Sequence, residues 1–453
     1  MNPERVLSRR ALLAASGVAV AAATAPRALS LGRTPYGGKL SFSIPWGLGS
    51  IDPHDLGDPA AALFGAALFD ALYALDAKGG LIAALAETLP TLENGAPRIK
   101  LRSGLRTARG TGLDARDVVA SLARASRMGA AGALASFPAP TVSATDPLTI
   151  AFSKGDRNLL ARALASPLTA IVPRSFDPKN PDGTGAFSAS LGASSLVLAR
   201  NLSAAMGPAF LESLTISTAP DLTTSLRDFE AEKDDVGWLG SGLYGARNGS
   251  VPFDLGRAAW IVLGTSPALG SPFADPGAAQ RLVDALPRAR LAPLALGTLP
   301  AGSSASTWDG PPCDLLFDQS SAHLSEIATT LAAILSAPGH EVTARGASRA
   351  EVDRRRAADA VLSLGVVRPL GPTGPDAWIS LATFDDPSSA ATTAKSAPKS
   401  AALPARSLTS SMRTGVLGEL RVTGGTLPTL QWANEIGGSW CLERSSVTSG
   451  TTP

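Results

Sequence analysis

Apolar positions along this chain recur with two periods, and the two alternate along its length. Lys39–Trp46 (KLSFSIPW) alternates apolar and polar residues, as a half-buried strand does. Within Leu63–Leu75, Leu68, Leu72 and Leu75 fall at i, i+4 and i+7, the single apolar face of a helix. Arg98–Arg102 puts Ile99 and Leu101 on one side and Arg98, Lys100 and Arg102 on the other, an edge-like strand that Gly104 ends. Asp114 opens a helix as its N-cap, and Asp117 three residues on completes a capping box. Val118, Leu122 and Ala125 form that helix's buried stripe. After a turn at Asp146 and Pro147, Leu148, Ile150 and Phe152 alternate as a strand, and Leu159–Ala165 predicts a short helix. Leu196, Leu198 and Arg200 predict a strand, as do Leu214 and Ile216. Asp221 then caps a helix carrying Leu222, Leu226 and Phe229 on one face, and Asp235–Trp238 closes the unit.

The C-terminal half reads more regularly. Ala258–Gly264 begins a new apolar strand, and Leu315, Leu316 and Phe317 make a buried one. Leu324, Ile327, Leu331 and Ile334 fall at i, i+3, i+7 and i+10, an amphipathic helix with Gly339 as its C-cap. Glu341–Ala344 predicts a strand, Arg349–Ala358 a helix and Ala360–Val366 a strand. That order predicts an α/β unit with parallel pairing. Ser388–Ala405, rich in Ser, Ala, Thr and Pro, reads as an exposed low-complexity loop. Trp432 and Trp440 read as core residues.

Composition narrows the function classes. The 453 residues leave room for two or three cores. With 45% hydrophobic and 17% charged residues, the chain is globular. A net charge of +2 gives no electrostatic case for nucleic acid or an anionic membrane. The run Arg354–Arg356 reads as a solvated helix face. At the N-terminus, Ser8-Arg9-Arg10-Ala11-Leu12-Leu13 matches a twin-arginine export motif, followed by a weakly apolar run from Ala11 to Ala25. That run is short of the about 20 strongly apolar residues of a membrane span. It predicts a signal peptide over residues 1–30, cleaved so that the mature chain starts near Leu31, and hence a periplasmic protein. No cysteine follows the run, so no lipid anchor is expected. Cys313 and Cys441 fit an oxidising compartment, paired or as free thiols. His54, His323 and His340 are scattered, so no metal set and no cofactor is expected. Gly240–Gly245 spells G-x-G-x-x-G, but Gly249 and Pro252 break the helix that a dinucleotide site needs.

Asn180–Asn201 (NPDGTGAFSASLGASSLVLARN) carries a family signal. Pro181, Gly183 and Gly185 make a tight, permissive turn ahead of Phe187. It resembles a signature of the extracellular solute-binding proteins of family 5, which serve oligopeptide, dipeptide and nickel ABC importers. Their pattern is Pro-x-Gly-Thr-Gly-Pro-Phe, then Leu-x-Arg-Asn; here Ala186 stands at the second proline. Ser50–Pro53 is similar to the family's early aspartate-proline turn. Phe69, Asp70, Leu72 and Tyr73, then Asp76, Gly79, Leu85 and Ala86, follow its next motifs. Leu101–Leu122 (LRSGLRTARGTGLDARDVVASL) is the closest match. Trp378–Pro387 resembles the family's tryptophan strand ending aromatic-x-acid-Pro. In oligopeptide binders a carboxylate before that aromatic pairs with the ligand ammonium. This chain has Thr383 there, with Asp385 and Asp386 as nearby substitutes.

The resemblance implies an α/β fold, a two-lobed periplasmic-binding-protein-like clamp of type II, in the three-domain cluster with an extra subdomain. Lobe I spans 31–255 with the subdomain at about 57–172, lobe II spans 256–424, and 425–453 returns to lobe I. Crossovers near Asn248–Gly256 and Thr423–Pro428 would close the lobes on a ligand. It implies recognition without turnover: a small peptide or peptide-like ligand, an ABC permease partner, no nucleic acid, no catalytic residue, and a monomer. Trp46, Tyr244, Trp378, Phe384 and Asp385 are the candidate ligand contacts. Two other readings stand beside it. One is an exported sensory or interaction clamp that has lost transport. The other is an exported enzyme, for which no G-x-S-x-G elbow or Ser/His/Asp set has recognisable context.

Overall fold

A computed structural model of the chain describes residues 36–76, 78–238, 250–297, 308–388, 405–432 and 440–447. The twin-arginine segment, Tyr244 with its glycine-rich loop, and almost all of the low-complexity stretch lie outside the described residues.

Ten strands make one sheet. They are β1 (Lys39–Ile44), β2 (Phe187–Leu191), β3 (Ser195–Arg200), β4 (Ser213–Thr218), β5 (Val236–Trp238), β6 (Val251–Thr265), β7 (Cys313–Asp318), β8 (Val342–Ala347), β9 (Val361–Val367) and β10 (Thr414–Thr426). Their order is β8-β7-β9-β6-β10-β5-β1-β4-β3-β2. β6 and β10 lie at the centre and are the two longest, at 15 and 13 residues. They pair antiparallel from Val251↔Thr426 to Gly264↔Thr414. On one side β10 meets β5, and β1 runs parallel to β4 and β5. On the other side β6 meets β9, and β7 runs parallel to both β8 and β9, the parallel α/β unit expected from the sequence. The β6–β10 ladder slips register at Asp254/Arg257 and Arg257/Ala259, where the sheet passes from one half to the other. An extra residue on one strand bends and twists a ladder there.

The helices that matter for the site are α1 (Pro59–Leu68), α2 (Ala115–Ala125), α3 (Leu222–Glu230), α4 (Ala322–Leu335), α5 (Arg349–Ala358) and α6 (Gly374–Asp385). The capping box read at Asp114 and Asp117 is formed at the start of α2. Asp221 caps α3, accepting from the Thr224 N–H. Between β1 and β2 an insert adds a four-stranded sheet of Thr91–Glu93, Ala96–Lys100, Thr149–Ala151 and Thr141–Val142, in that order. Its core of Leu101, Val118, Leu122 and Ile150 continues into Trp260, Val262, Val367 and Leu381 on one face of the β6–β9 half.

Three sequence expectations are corrected. Leu63–Leu75 is not one helix: α1 ends at Leu68 and a short strand runs over Tyr73–Leu75. The Leu68 carbonyl accepts from the Gly185 N–H at 3.0 Å, so the signature turn takes the acceptor that a further helical turn would use. Gly339 does have φ of 81°, but it sits in a turn beyond α4, which ends at Leu335. Trp378–Pro387 is not a strand, because its residues to Asp385 belong to α6. A second capping box, Thr373 with Asp376, starts that helix, with Pro375 in its first turn. Cys313 and Cys441 are not bonded to each other.

The turn of the signature is a clasp. Thr184 is fully buried and its hydroxyl donates to Asp70 Oδ2 at 2.7 Å. The Ala108 N–H donates to the Gly183 carbonyl and Ala205 to that of Thr184. Asn201 Nδ2 donates to the Gly185 carbonyl at 2.8 Å. The GTG turn therefore ties α1, the insert and the end of β3 together.

Candidate functional site

The loop that leaves β1 is the hub of the molecule. Trp46 is 1% exposed and packs edge-on to the His323 ring, centroids 5.0 Å apart. The His323 backbone N–H donates to the Pro45 carbonyl at 3.1 Å. A Cβ at Gly47 would lie 2.9 Å from the Ser320 carbonyl oxygen, so only glycine allows this approach between the β1 loop and the start of α4.

Six residues on, the loop is anchored to the insert. Arg124 of α2 donates to both oxygens of Asp52, at 2.8 and 2.5 Å. Its Nη1 also donates to His54 Nδ1 at 2.8 Å, and His54 Nε2 donates to the Ala170 carbonyl at 2.7 Å. His54 is fully buried. Burial is the main cause that holds it neutral, pushing its pKa down, and the Arg124 charge adds to that. For Asp52 burial works the other way, but Arg124 and the His54 N–H outweigh it and keep the carboxylate ionised.

Beyond this loop a groove of about 460 Å³ runs beside α5. The end of α6 and the far ends of β6 and β10 form its floor, with Asp55–Gly57 and the insert's Arg127–Gly129 at its rim. The Arg356 guanidinium lies 4.1 Å over the Phe384 ring and donates to the Phe384 carbonyl at 2.8 Å. Asp385 Oδ1 accepts from the Thr414 hydroxyl at 2.8 Å, and burial raises the Asp385 pKa. Thr383, 3% exposed, lines the same groove with its hydroxyl unpartnered among the described residues. Asp353 and Arg413 complete a lining that carries both signs of charge. Chemically the groove offers an aromatic face, a free hydroxyl, carboxylates and guanidinium groups. A second, more neutral cavity of about 640 Å³ lies between α3 and α4, with Glu326 in its wall.

The five sequence candidates do not converge. Phe384 and Asp385 line the α5 groove. Trp378 is on α6, half-buried against the insert's core. Trp46 is packed at the β1–α4 contact, and Tyr244 lies outside the described residues. Sequence reading missed Arg356, taking Arg354–Arg356 as one solvated face. The three part company in the helix. Arg354 pairs with Glu351, Arg355 with Asp314 and Asp359, and Arg356 turns into the groove. The signal was spacing: Arg349, Asp353 and Arg356 fall at i, i+4 and i+7 on one face.

His323 gives the protein a measurable acid sensitivity. Its Nε2 donates to the Leu294 carbonyl at 2.7 Å while Nδ1 has no partner among the described residues, so the buried ring is neutral. Burial lowers its pKa from 6.5 to about 4. The unfolded chain thus binds a proton between these values that the folded chain does not. Its contribution is complete above the unfolded value and is lost as pH falls towards 4. The loss amounts to about 3 kcal/mol. Urea unfolding at neutral and acid pH should show a His323→Gln variant with a shallower acid decline than wild type. Parallel declines would remove His323 as the cause.

No family model matches this chain, and no curated protein matches it in sequence. Solved structures do match it in fold. The oligopeptide-binding protein AppA of Bacillus subtilis, in complex with a nonapeptide, has a TM-score of 0.67 at 15% identity, over 92% of this chain and 100% of its own. The PBP AgaA of A. tumefaciens R10, in complex with agropinic acid, has 0.66 at 14%, over 91% and 99%. The ABC transporter-associated periplasmic binding protein DppA of Helicobacter pylori, in complex with the peptide STSA, has 0.64 at 13%, over 92% and 99%. The fold class implied by the motif resemblance is thus the one observed: the chain has the two-lobed α/β fold of the periplasmic binding proteins.

Proposed function

We propose that this protein is the solute-binding component of an ABC importer, exported to the periplasm through its twin-arginine segment. It captures a peptide or peptide-like solute between its lobes and delivers it to a permease as a monomer, without chemical turnover. The observation that carries this reading is the α5 groove, where a buried unpartnered Thr383 hydroxyl, the Phe384 face and both signs of charge meet in one cavity. A solute with amide or carboxylate oxygens and a cationic group satisfies that lining. Phe384 and Asp385 are the contacts in this groove, with Tyr244 proposed as a further one; Trp46 and Trp378 do not line it. The absence of a carboxylate at Thr383 favours a solute held without a free peptide ammonium at that position.

The test starts with native mass spectrometry of the mature protein to identify the solute it retains. Titration of that solute into Phe384→Ala is expected to show an affinity loss of about tenfold, in line with removal of a buried aromatic anchor. A solute that binds Phe384→Ala and Asp385→Asn as tightly as wild type lies elsewhere. If no solute is retained or bound from peptide and opine-like libraries, the second reading gains: an exported clamp that reports to a sensor partner. Thr383 in the carboxylate position favours it, and pull-down of a sensor domain in place of a permease separates the two.

A further inference from the structure

The cavity of about 640 Å³ between α3 and α4 shares no lining residue with the α5 groove among the described residues. Its walls are fixed to one frame. α3 packs on β1 and β5, and its Ser225 hydroxyl donates to the Ser43 carbonyl at 2.6 Å. α4 packs on β7 and β8, and the His323 backbone N–H in its first turn donates to the Pro45 carbonyl at 3.1 Å. The third wall is the Pro293–Leu294 turn, where the Leu294 carbonyl accepts from His323 Nε2 at 2.7 Å. A preformed cavity of about 300–1,000 Å³ is the size of a small-molecule site.

The two helices give this cavity opposite characters. On α3, Leu222 and Leu226 fall at i and i+4 and face it together with Leu294, an apolar wall. α4 buries Leu324, Ile327, Leu331 and Leu335, and turns Glu326, Thr329 and Thr330, at i, i+3 and i+4, towards the cavity. Glu326 is half-buried and is the one charged residue of the lining among the described residues. No cation of the described residues pairs with it. The charge that acts on it is the carboxylate of Asp221, which caps α3. Burial, and then Asp221, raises the Glu326 pKa. A cation beside a half-buried carboxylate that faces a second carboxylate relieves both costs. The threonine hydroxyls can accept the N–H groups of an ammonium that the carboxylate leaves over. We propose that this cavity is a second binding site, for a primary amine with a hydrocarbon body. The ammonium sits on Glu326 beside Thr329 and Thr330, and the body lies against Leu222, Leu226 and Leu294. The site uses none of the groups assigned to the α5 groove, so it stands whether or not that groove takes a solute.

Calorimetric titration of the mature chain with phenethylamine tests the site. Phenethyl alcohol and hydrocinnamate serve as neutral and anionic probes with the same ring. The amine is expected to bind roughly tenfold tighter than either. Glu326→Gln keeps the side-chain shape and removes the charge. It should weaken the amine roughly tenfold and leave the alcohol unchanged. Leu226→Ala, on the opposite wall, should weaken amine and alcohol alike by about threefold. No binding of phenethylamine at about 10 mM overturns the site. So does hydrocinnamate binding as tightly as the amine, or an amine affinity unchanged in Glu326→Gln. Amine binding that falls in Phe384→Ala but not in Glu326→Gln belongs to the α5 groove and overturns it as well.

Discussion

Alanine at Gly183 or Gly185 is expected to prevent folding of the mature chain, with a loss of roughly 4 kcal/mol or more at each position. Neither glycine has a positive φ, so the requirement is not conformational. It is one of space. A Cβ at Gly183 would lie 2.2 Å from the Leu68 carbonyl oxygen and 2.5 Å from the Phe69 ring. One at Gly185 would lie 2.5 Å from the Leu68 carbonyl carbon and 2.6 Å from the Ala67 oxygen. Those atoms are the last turn of α1, and they cannot retreat without breaking the Leu68–Gly185 hydrogen bond and the clasp around it. Gly104 supplies the control. It has φ of 72° but nothing within 4 Å of a built Cβ, so alanine there costs only the left-handed backbone, about 1–2 kcal/mol. Soluble yield and urea midpoints of the three variants make the comparison. Gly183→Ala or Gly185→Ala as mild as Gly104→Ala would show that the clasp yields.

The second large effect is expected at Asp52. Asp52→Ala should cost about 3–5 kcal/mol, because it leaves the Arg124 charge partly buried without its counter-ion. Asp52 is 6% exposed and accepts two bonds from Arg124 and one from the His54 backbone N–H at 3.0 Å. The other neighbours of Arg124 are the neutral His54 imidazole, the Phe176 ring with its centroid 5.3 Å away, and Asp55, whose carboxylate is already paired with Arg349, so none replaces Asp52 as counter-ion. The double variant Asp52→Ala/Arg124→Met removes both charges and should recover part of the loss. Equilibrium urea unfolding of the two variants decides it. A cost for Asp52→Ala under 1 kcal/mol, or a double variant less stable than the single, would sink the account of a charge pair that anchors the β1 loop to the insert.

Local elements were legible because their causes are local. The Asp114–Asp117 capping box, the alternation in β1, β3 and β4, and each element in the strand–helix order of β7 to β9 are set within windows of a few residues. One local error is instructive. The motif resemblance implied a strand over Trp378–Pro387, yet the Thr373–Asp376 capping box and Pro375 just upstream were the stronger local signal and set a helix. The candidate site was legible only in part. Phe384 and Asp385 were named from motif position, while Arg356 and Thr383 emerge as groove residues only once α5 and α6 face each other.

The sequence by itself determined the alternation of strands and helices, the caps that bound them, and the turn that needs glycine at 183 and 185. The first two depend on hydrophobic period and capping side chains, which neighbouring residues carry, and the third was carried by the Pro-x-Gly-Thr-Gly motif. Only the tertiary structure decided why those glycines are needed, where the Arg354–Arg356 run points, and that Arg368 grips carbonyls more than 300 residues earlier in the chain. Close approach and the pairing of buried charge are properties of two segments at once, and nothing in either segment alone records its partner.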